Sequence, residues 1–167
     1  ILEICKFFQI KNILEIGTSD GNTTLNLALN VKDQGTVVTF DLPPGSPGFN
    51  VRSERQFKGH ETEKLITQVL ADSTTFDWEN YNQTFDLIFI DANHSERAVK
   101  SDSINSLKVL NSNGIIIWHD YNYKSVSTVI DKAYNLGESI FWIKGTRLAV
   151  GQFQNPQKSI QNFESNS

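Results

Sequence analysis

Methionine is absent from these 167 residues, cysteine occurs once, proline four times, and the 15 Lys and Arg are outnumbered by 19 Asp and Glu. Each shortage excludes something. The lone Cys5 has no partner for an internal disulfide, and no paired Cys/His spacing suggests a zinc site. A reducing, cytoplasmic compartment fits that usage. A net charge of −4 supplies no basic field to hold nucleic acid or an anionic membrane surface. The longest apolar runs, Leu87 to Ile90 and Ile115 to Trp118, fall far short of the ~20 residues that span a bilayer. Neither nucleic acid nor membrane is therefore expected as a partner. With no methionine and no secretory leader pattern, the sequence is expected to begin downstream of its natural start.

What is present is a rhythm of short apolar runs. Ile13 to Ile16 is of β type and ends in a glycine-punctuated turn, Gly17-Thr18-Ser19-Asp20-Gly21, before the helical pattern Thr23-Thr24-Leu25-Asn26-Leu27-Ala28-Leu29. Strand, glycine loop and helix is the layout that opens a nucleotide-binding α/β unit. Glycines there would let the backbone approach a ligand that a Cβ would block, and the helix start has unpaired N–H groups. Glu15, at the strand's end, needs a partner because a buried carboxylate is costly. The spacing Gly-x-x-x-Gly is not Gly-x-Gly-x-x-Gly, which counts against a dinucleotide, and no lysine follows the loop as in a P-loop.

Around that unit, residues 1–10 have the spacing of an amphipathic edge helix through Leu2, Ile4, Cys5, Phe7 and Phe8. Val37 to Phe40 predicts a second strand ending in Asp41, followed by the Pro-rich loop 42–48. The segment from Ser53 to Gly59 is irregular and charged, Glu61 to Leu65 reads as a short helix, and a third strand near 66–71 ends in Asp72-Ser73. Phe85 to Ile90 is a continuously apolar run, as a central parallel strand requires, and stops at Asp91-Ala92-Asn93-His94. Ser95 suits an N-cap for a helix through Ala98, Val99, Ile104, Leu107 and Leu110, closed by 111–114. Ile115 to Trp118 is a fifth strand ending in His119-Asp120-Tyr121, and Val126 to Leu136 a further helix. Ile140 to Ile143 and Arg147 to Phe153 predict a terminal antiparallel hairpin. One domain over 1–153 is expected, with 154–167, rich in Asn, Gln and Ser, as a frayed tail.

Five strand ends thus carry Glu15/Gly17, Asp41, Asp72, Asp91 and Asp120, and a parallel sheet binds ligands beyond its carboxyl ends. Asp41, about twenty residues past the loop, is placed for a ribose diol, and Asp72 with Ser73 for an adenine edge. The ligand expected is a nucleoside derivative without phosphates. S-adenosylmethionine fits, its cationic sulfonium suiting an acid-rich edge. His94, at a helix start where the dipole disfavours added positive charge, suits a proton acceptor; capping the helix or bonding Asp91 is the alternative. His119 reads as a structural or supporting group, and His60 has no motif around it. Trp78, Tyr81, Phe85, Trp118, Phe141 and Trp142 are candidates for an aromatic acceptor pocket or, more simply, for packing. Arg147 could meet an anionic substrate or be an ordinary exposed hairpin arginine.

ILEIGTSDGNTT, FDLIFIDANHS, NSNGIIIWHDY and GTRLAVG together resemble the class I S-adenosylmethionine-dependent methyltransferases. The resemblance is to the methyltransferase domain 24 type, similar to catechol and macrolide-sugar O-methyltransferases, and runs from about Ile13 to Gly151. It implies an α/β, Rossmann-like three-layer sandwich: a seven-stranded, mostly parallel sheet in the order 3-2-1-4-5-7-6 with the last strand antiparallel. It further implies that Glu15, Gly17, Thr18, Ser19 and Gly21 hold the methionine part of the cofactor, Asp41 the ribose, and Asp72 with Ser73 the adenine. Asp91 and Asp120 match positions that hold magnesium in metal-dependent relatives, with His119 beside them where an acid or amide is usual. An imidazole there would suit manganese, iron or zinc better than magnesium. His94 matches a substrate base, acting with Asp91. The function expected is O-methylation of a small-molecule hydroxyl, on a sugar or secondary metabolite, with Mg2+ or another divalent cation. The alternatives are a non-catalytic adenosyl-binding module of a larger protein and a metal-dependent oxygenase-like enzyme. Self-association is left open.

Overall fold

The computed structural model describes residues 1–31, 35–49 and 54–164; part of the segment read as irregular, Ser53, lies outside them. The elements are α1 (Leu2–Phe7), β1 (Asn12–Ile16), α2 (Asn22–Asn30), β2 (Thr36–Asp41), β3 (Ile66–Leu70), β4 (Phe85–Ile90), α3 (Glu96–Val109), β5 (Leu110–Trp118), α4 (Lys124–Asn135), β6 (Ile140–Trp142), β7 (Ala149–Phe153) and α5 (Pro156–Glu164). They build one sheet in the order β3-β2-β1-β4-β5-β7-β6. The pairs from β3 through β5 are parallel, and β7 runs antiparallel to both its neighbours. This is the topology the resemblance implied.

Alternation along the strands divides the core into two layers. Leu14, Ile16, Ile88, Ile90, Ile116 and Trp118 face α3, α4 and α5, whereas Ile13, Leu87, Phe89, Ile115 and Ile117 face α1 and α2. A strand with apolar residues on both faces is what a sheet covered by helices on each side demands. α3 starts where expected, with the Ser95 side chain accepting from the Ala98 N–H at 3.3 Å. It stops at Val109, so Leu110 is already in β5. The ladder slips between Phe85↔Leu110 and Leu87↔Ile115, which accommodates 111–114 as an irregular entry to the strand.

One expectation needs correction, and two others gain detail. Residues 156–164 form α5 rather than a frayed tail, with Phe163 stacked 6.1 Å from Trp118 and only 3% exposed. Pro156 supplies the fixed φ that suits a first helical turn, and Ile160 and Phe163 the apolar face. In α1 only Cys5 is buried; Phe7 and Phe8 point to solvent. Of the aromatic candidates, Trp78, Phe85 and Trp118 are core and Tyr81 packs against it, while Phe141 and Trp142 are exposed on the edge strand β6. Phe163→Ala should lower unfolding free energy by about 3–5 kcal/mol, the range for emptying a buried aromatic site, in urea denaturation; a frayed tail would give no change.

Candidate active site at the carboxyl ends of the strands

The ladders run on past the strand ends, and this brings the loops into line. Gly17 and Thr18 N–H both donate to Phe40 O (2.9 and 3.0 Å), Asp91 N–H to Ile16 O (2.9 Å), His119 N–H to Ile90 O (3.0 Å), and Ala71 N–H to Asp41 O (2.9 Å). Glu15, the glycine loop, Asp41, Asp72, Asp91, His94, His119 and Asp120 therefore stand along one edge of the sheet.

The glycines serve protein packing as much as any ligand. A Cβ on Gly17 would lie 2.0 Å from the Asp91 carbonyl oxygen, and its φ of +110 is one that other residues avoid. At Gly21 a Cβ would meet the Phe57 ring at 2.8 Å. The loop is thus sealed against β4 on one side and against the 55–60 segment on the other. Gln56 completes that seal, its N–H donating to Asp20 O at 2.9 Å and its side-chain amide to Asp20 Oδ2 at 3.1 Å.

Glu15 lies in the row with Ile13, on the face that α2 covers, and is fully buried. Its Oε2 accepts from Thr24 Oγ1 (2.5 Å) and Thr39 Oγ1 (2.6 Å). Because the Thr39 proton is committed to Glu15, Thr18 must be the donor in the 2.7 Å Thr18–Thr39 contact. Oε1 has no partner among the described residues. Burial pushes the Glu15 carboxyl up to about 8, against the two threonine bonds, with Asp91 and Asp41 adding to the rise.

The expected adenosyl-binding residues are not all free to act. Asp41 is engaged by Arg55 at 2.6 Å in a largely buried ion pair. Asp72 closes its own turn, Oδ1 accepting from Thr74 N–H and Oγ1. Ser73 is turned inward, donating to Asp102 Oδ1 at 2.7 Å, so its hydroxyl does not face an adenine. Its carbonyl accepts from Trp78 Nε1 and Asn105 Nδ2 (both 3.1 Å), which fixes the turn from within. Burial pushes the Asp102 carboxyl up to about 7, opposed by the Ser73 bond and helped by Asp72. Sequence reasoning missed Arg55, Asp102, Thr24 and Thr39. Only the threonines left a signal, lying opposite Glu15 on the neighbouring strand and helix.

Asp91, His94, His119 and Asp120 converge, one donor atom from each lying within 4.8 Å of all the others. His119 Nδ1 is 3.2 Å from Asp91 Oδ1 and 3.3 Å from Asp120 Oδ2; His94 Nε2 is 3.1 Å from Asp120 Oδ2 and 3.7 Å from Asp91 Oδ1. Both ring nitrogens are buried, yet neither has a hydrogen-bond partner in alignment among the described residues. Asp120 reaches the cluster from a left-handed backbone position, φ 52, which costs a non-glycine residue energy and is typical of functional sites. Arg147 Nη1 lies 2.8 Å from Asp120 Oδ1. His94 packs edge-on against Tyr123, ring centroids 5.3 Å apart. Burial raises the Asp91 carboxyl, His119 opposes the rise and Asp120 adds to it.

The methyltransferase domain family matches residues 14–121, from the glycine-loop strand to the last of the converging side chains. The chain belongs to that family. It is a class I S-adenosylmethionine-dependent methyltransferase. No curated protein sequence matches it. Its fold is shared with the crystal structure of a cofactor-bound protein, Rv0187, from MTB: TM-score 0.71, 17% identity, covering 92% of this chain and 78% of the other. A protein assigned as a caffeoyl-CoA O-methyltransferase from Staphylococcus aureus gives 0.72 and 18%, covering 91% and 80%. One assigned as an O-methyltransferase from Klebsiella pneumoniae gives 0.65 and 18%, covering 90% and 76%. At these identities the likeness is one of fold. No helix among the described residues is long and apolar enough to cross a membrane.

The methyltransferase carries its own pH signature in Glu15. With the folded pKa near 8 and the unfolded value near 4.5, the unfolded state ionises first as pH rises. Glu15 therefore costs the ligand-free protein no stability below pH ~4.5, progressively more between ~4.5 and ~8, and a constant amount above, on the order of a few kcal/mol. Glu15→Gln should leave stability nearly unchanged at pH 5 and raise it at pH 8.5, read as the difference in Tm from wild type at each pH. A difference that does not vary with pH would refute the buried, protonated state.

Proposed function

We propose that this methyltransferase O-methylates a hydroxyl group of a small molecule, a sugar or secondary metabolite, with a divalent cation at the strand ends. The observation that carries the reading is the convergence of Asp91, His94, His119 and Asp120 beside the glycine loop. Ligands of a first-row dication bound at about 2.0–2.2 Å stand roughly 3.0–3.5 Å from one another. The contacts of 3.1, 3.2 and 3.3 Å match that spacing, and the fourth, 3.7 Å, is slightly longer. Two orphaned ring nitrogens among two carboxylates form a donor set that suits manganese, iron or zinc better than magnesium.

Glu15 and the loop residues Gly17, Thr18, Ser19 and Gly21 would hold the methionine end of S-adenosylmethionine, Glu15 Oε1 having no partner among the described residues. Asp41 would take the ribose hydroxyls once Arg55 yields or shares it, and Asp72 with the backbone of Ser73 would border the adenine. When bound, a dication supplies a lowered hydroxyl pKa and a fixed angle of attack. The acceptor oxygen forms its bond to the methyl carbon as the carbon–sulfonium bond breaks, leaving a thioether and one proton. The residues hold the two reactants in line, a contribution of about 7–11 kcal/mol in favourable cases.

His94 admits two roles. As the expected base it would receive the acceptor's proton with Asp91 beside it. The inward turn of Nε2, equivalent to that of the other three donors, favours a place in the ligand set. His94→Gln should therefore weaken Mn2+ binding by about tenfold or more, measured by calorimetric titration, without moving the acidic limb of the pH–rate profile. Loss of that limb with unchanged metal affinity would identify the base instead. An Asp91→Asn, Asp120→Asn double variant fully active in chelator would contradict the metal-assisted reading.

A further inference from the structure

Beside the cluster lies an open cavity of about 440 Å³ between Ile1 and Leu2, the start of α2, β4, and the turn from β6 to β7, with Asn22, Leu27, Phe89 and Arg147 in its lining. It opens directly onto Asp91 and His119. We propose that this is the acceptor pocket, that Arg147 anchors an anionic group of the acceptor, and that the acceptor is a small hydroxy acid. This rests on the O-methylation reading above.

Three observations carry it. The first is that Arg147 is a placed side chain. Its backbone carbonyl accepts from Tyr121 N–H at 3.0 Å, and its guanidinium sits 2.8 Å from Asp120 Oδ1 although the side chain is 56% exposed. The turn around it is braced by Thr146, whose hydroxyl donates to Ile143 O (2.8 Å) and accepts from Leu148 N–H (3.1 Å). An ordinary exposed hairpin arginine would have no buried carboxylate to meet.

The second is charge. Asp91 and Asp120 face one another across the two imidazoles, and Arg147 is the cation beside them. A dication held by those carboxylates would take up their charge, leaving Arg147 without a counter-charge next to a sulfonium cofactor. An acceptor bearing one negative charge supplies Arg147 with a counter-charge, the fork of the guanidinium being suited to a carboxylate.

The third is size and reach. At about 440 Å³ the cavity is near the lower end of the ~300–1,000 Å³ usual for ligand sites. Asp120 presents Oδ2 to the cluster and Oδ1 to Arg147. Leu27 and Phe89 give an apolar wall, and Asn22 and Asn26 polar groups opposite it.

The test is calorimetric titration of the protein, saturated with S-adenosylhomocysteine and Mn2+, with salicylate against salicylamide and glucuronate against glucose. At least one acid should bind about tenfold or more tightly than its uncharged partner. Arg147→Gln should abolish that preference by weakening the acid alone, and Arg147→Lys should keep part of it. Equal binding of acid and neutral partner, failure of both acids to bind, or a preference that survives Arg147→Gln each overturns the proposal. The wild-type comparison stands even if the variants fold poorly. A parallel scan for methyl transfer separates this failure from a wider one: neutral sugars methylated without preference for acids would sink only the anionic acceptor, whereas cofactor binding with no oxygen methylation in any acceptor would sink the O-methylation reading.

Discussion

The register of the parallel ladder between β1 and β4 is the constraint on which the site depends. Asp91 N–H reaches Ile16 O, and Gly17 passes so close to the Asp91 carbonyl that no side chain fits between them. That contact sets the glycine loop against the start of the acidic cluster. The next ladder repeats the step, from Ile90 O to His119 N–H. A glycine loop and a cluster of carboxylates and imidazoles brought together by backbone hydrogen bonds are held more firmly than side-chain contacts alone could hold them, as a preorganised site requires.

The electrostatics follow from where those ladders end. Carboxylates at the edge of a sheet covered on both sides are partly desolvated, and the fold answers each one differently. Glu15 is bridged by hydroxyls and held near neutrality. Asp102 is paired with Ser73 and shifted likewise. Asp41 has an arginine. Asp91 and Asp120 face imidazoles, with Arg147 behind. Around the last pair two buried ring nitrogens, His94 Nε2 and His119 Nδ1, are out of hydrogen-bond alignment among the described residues, as Glu15 Oε1 is elsewhere on the edge. Buried polar groups are ordinarily hydrogen-bonded, and these open nitrogens are the observation from which a bound cation is proposed.

Much of this was legible in the sequence because it is periodic. Ile13 to Ile16, Phe85 to Ile90 and Ile115 to Trp118 announce buried parallel strands, and a polar residue directly after each run has to lie on the common edge. Asp91, His119 and Asp120 were found that way, and His94 by its place at a helix start three residues after Asp91. What could not be read was the direction of side chains in irregular segments. Whether Ser73 faces ligand or core depends on one rotation in the turn after β3, and it faces Asp102, 29 residues away. Arg55 meets Asp41 across a loop with no periodicity. α5 was missed for a different reason: Pro156, Ile160 and Phe163 have helical spacing, but nine residues dominated by Gln, Asn and Ser carry little apolar signal until Trp118 is known to be waiting beneath them.

The central claim is that the cofactor's methyl group and the four-residue cluster occupy one continuous space. Paramagnetic relaxation tests it most directly, with Mn2+ added to the protein bound to S-adenosylmethionine labelled with carbon-13 in the methyl group. The account predicts strong broadening of the methyl signal that saturates with one equivalent of metal and disappears in Asp91→Ala. A methyl signal that Mn2+ leaves sharp, in a protein that binds both, would contradict it.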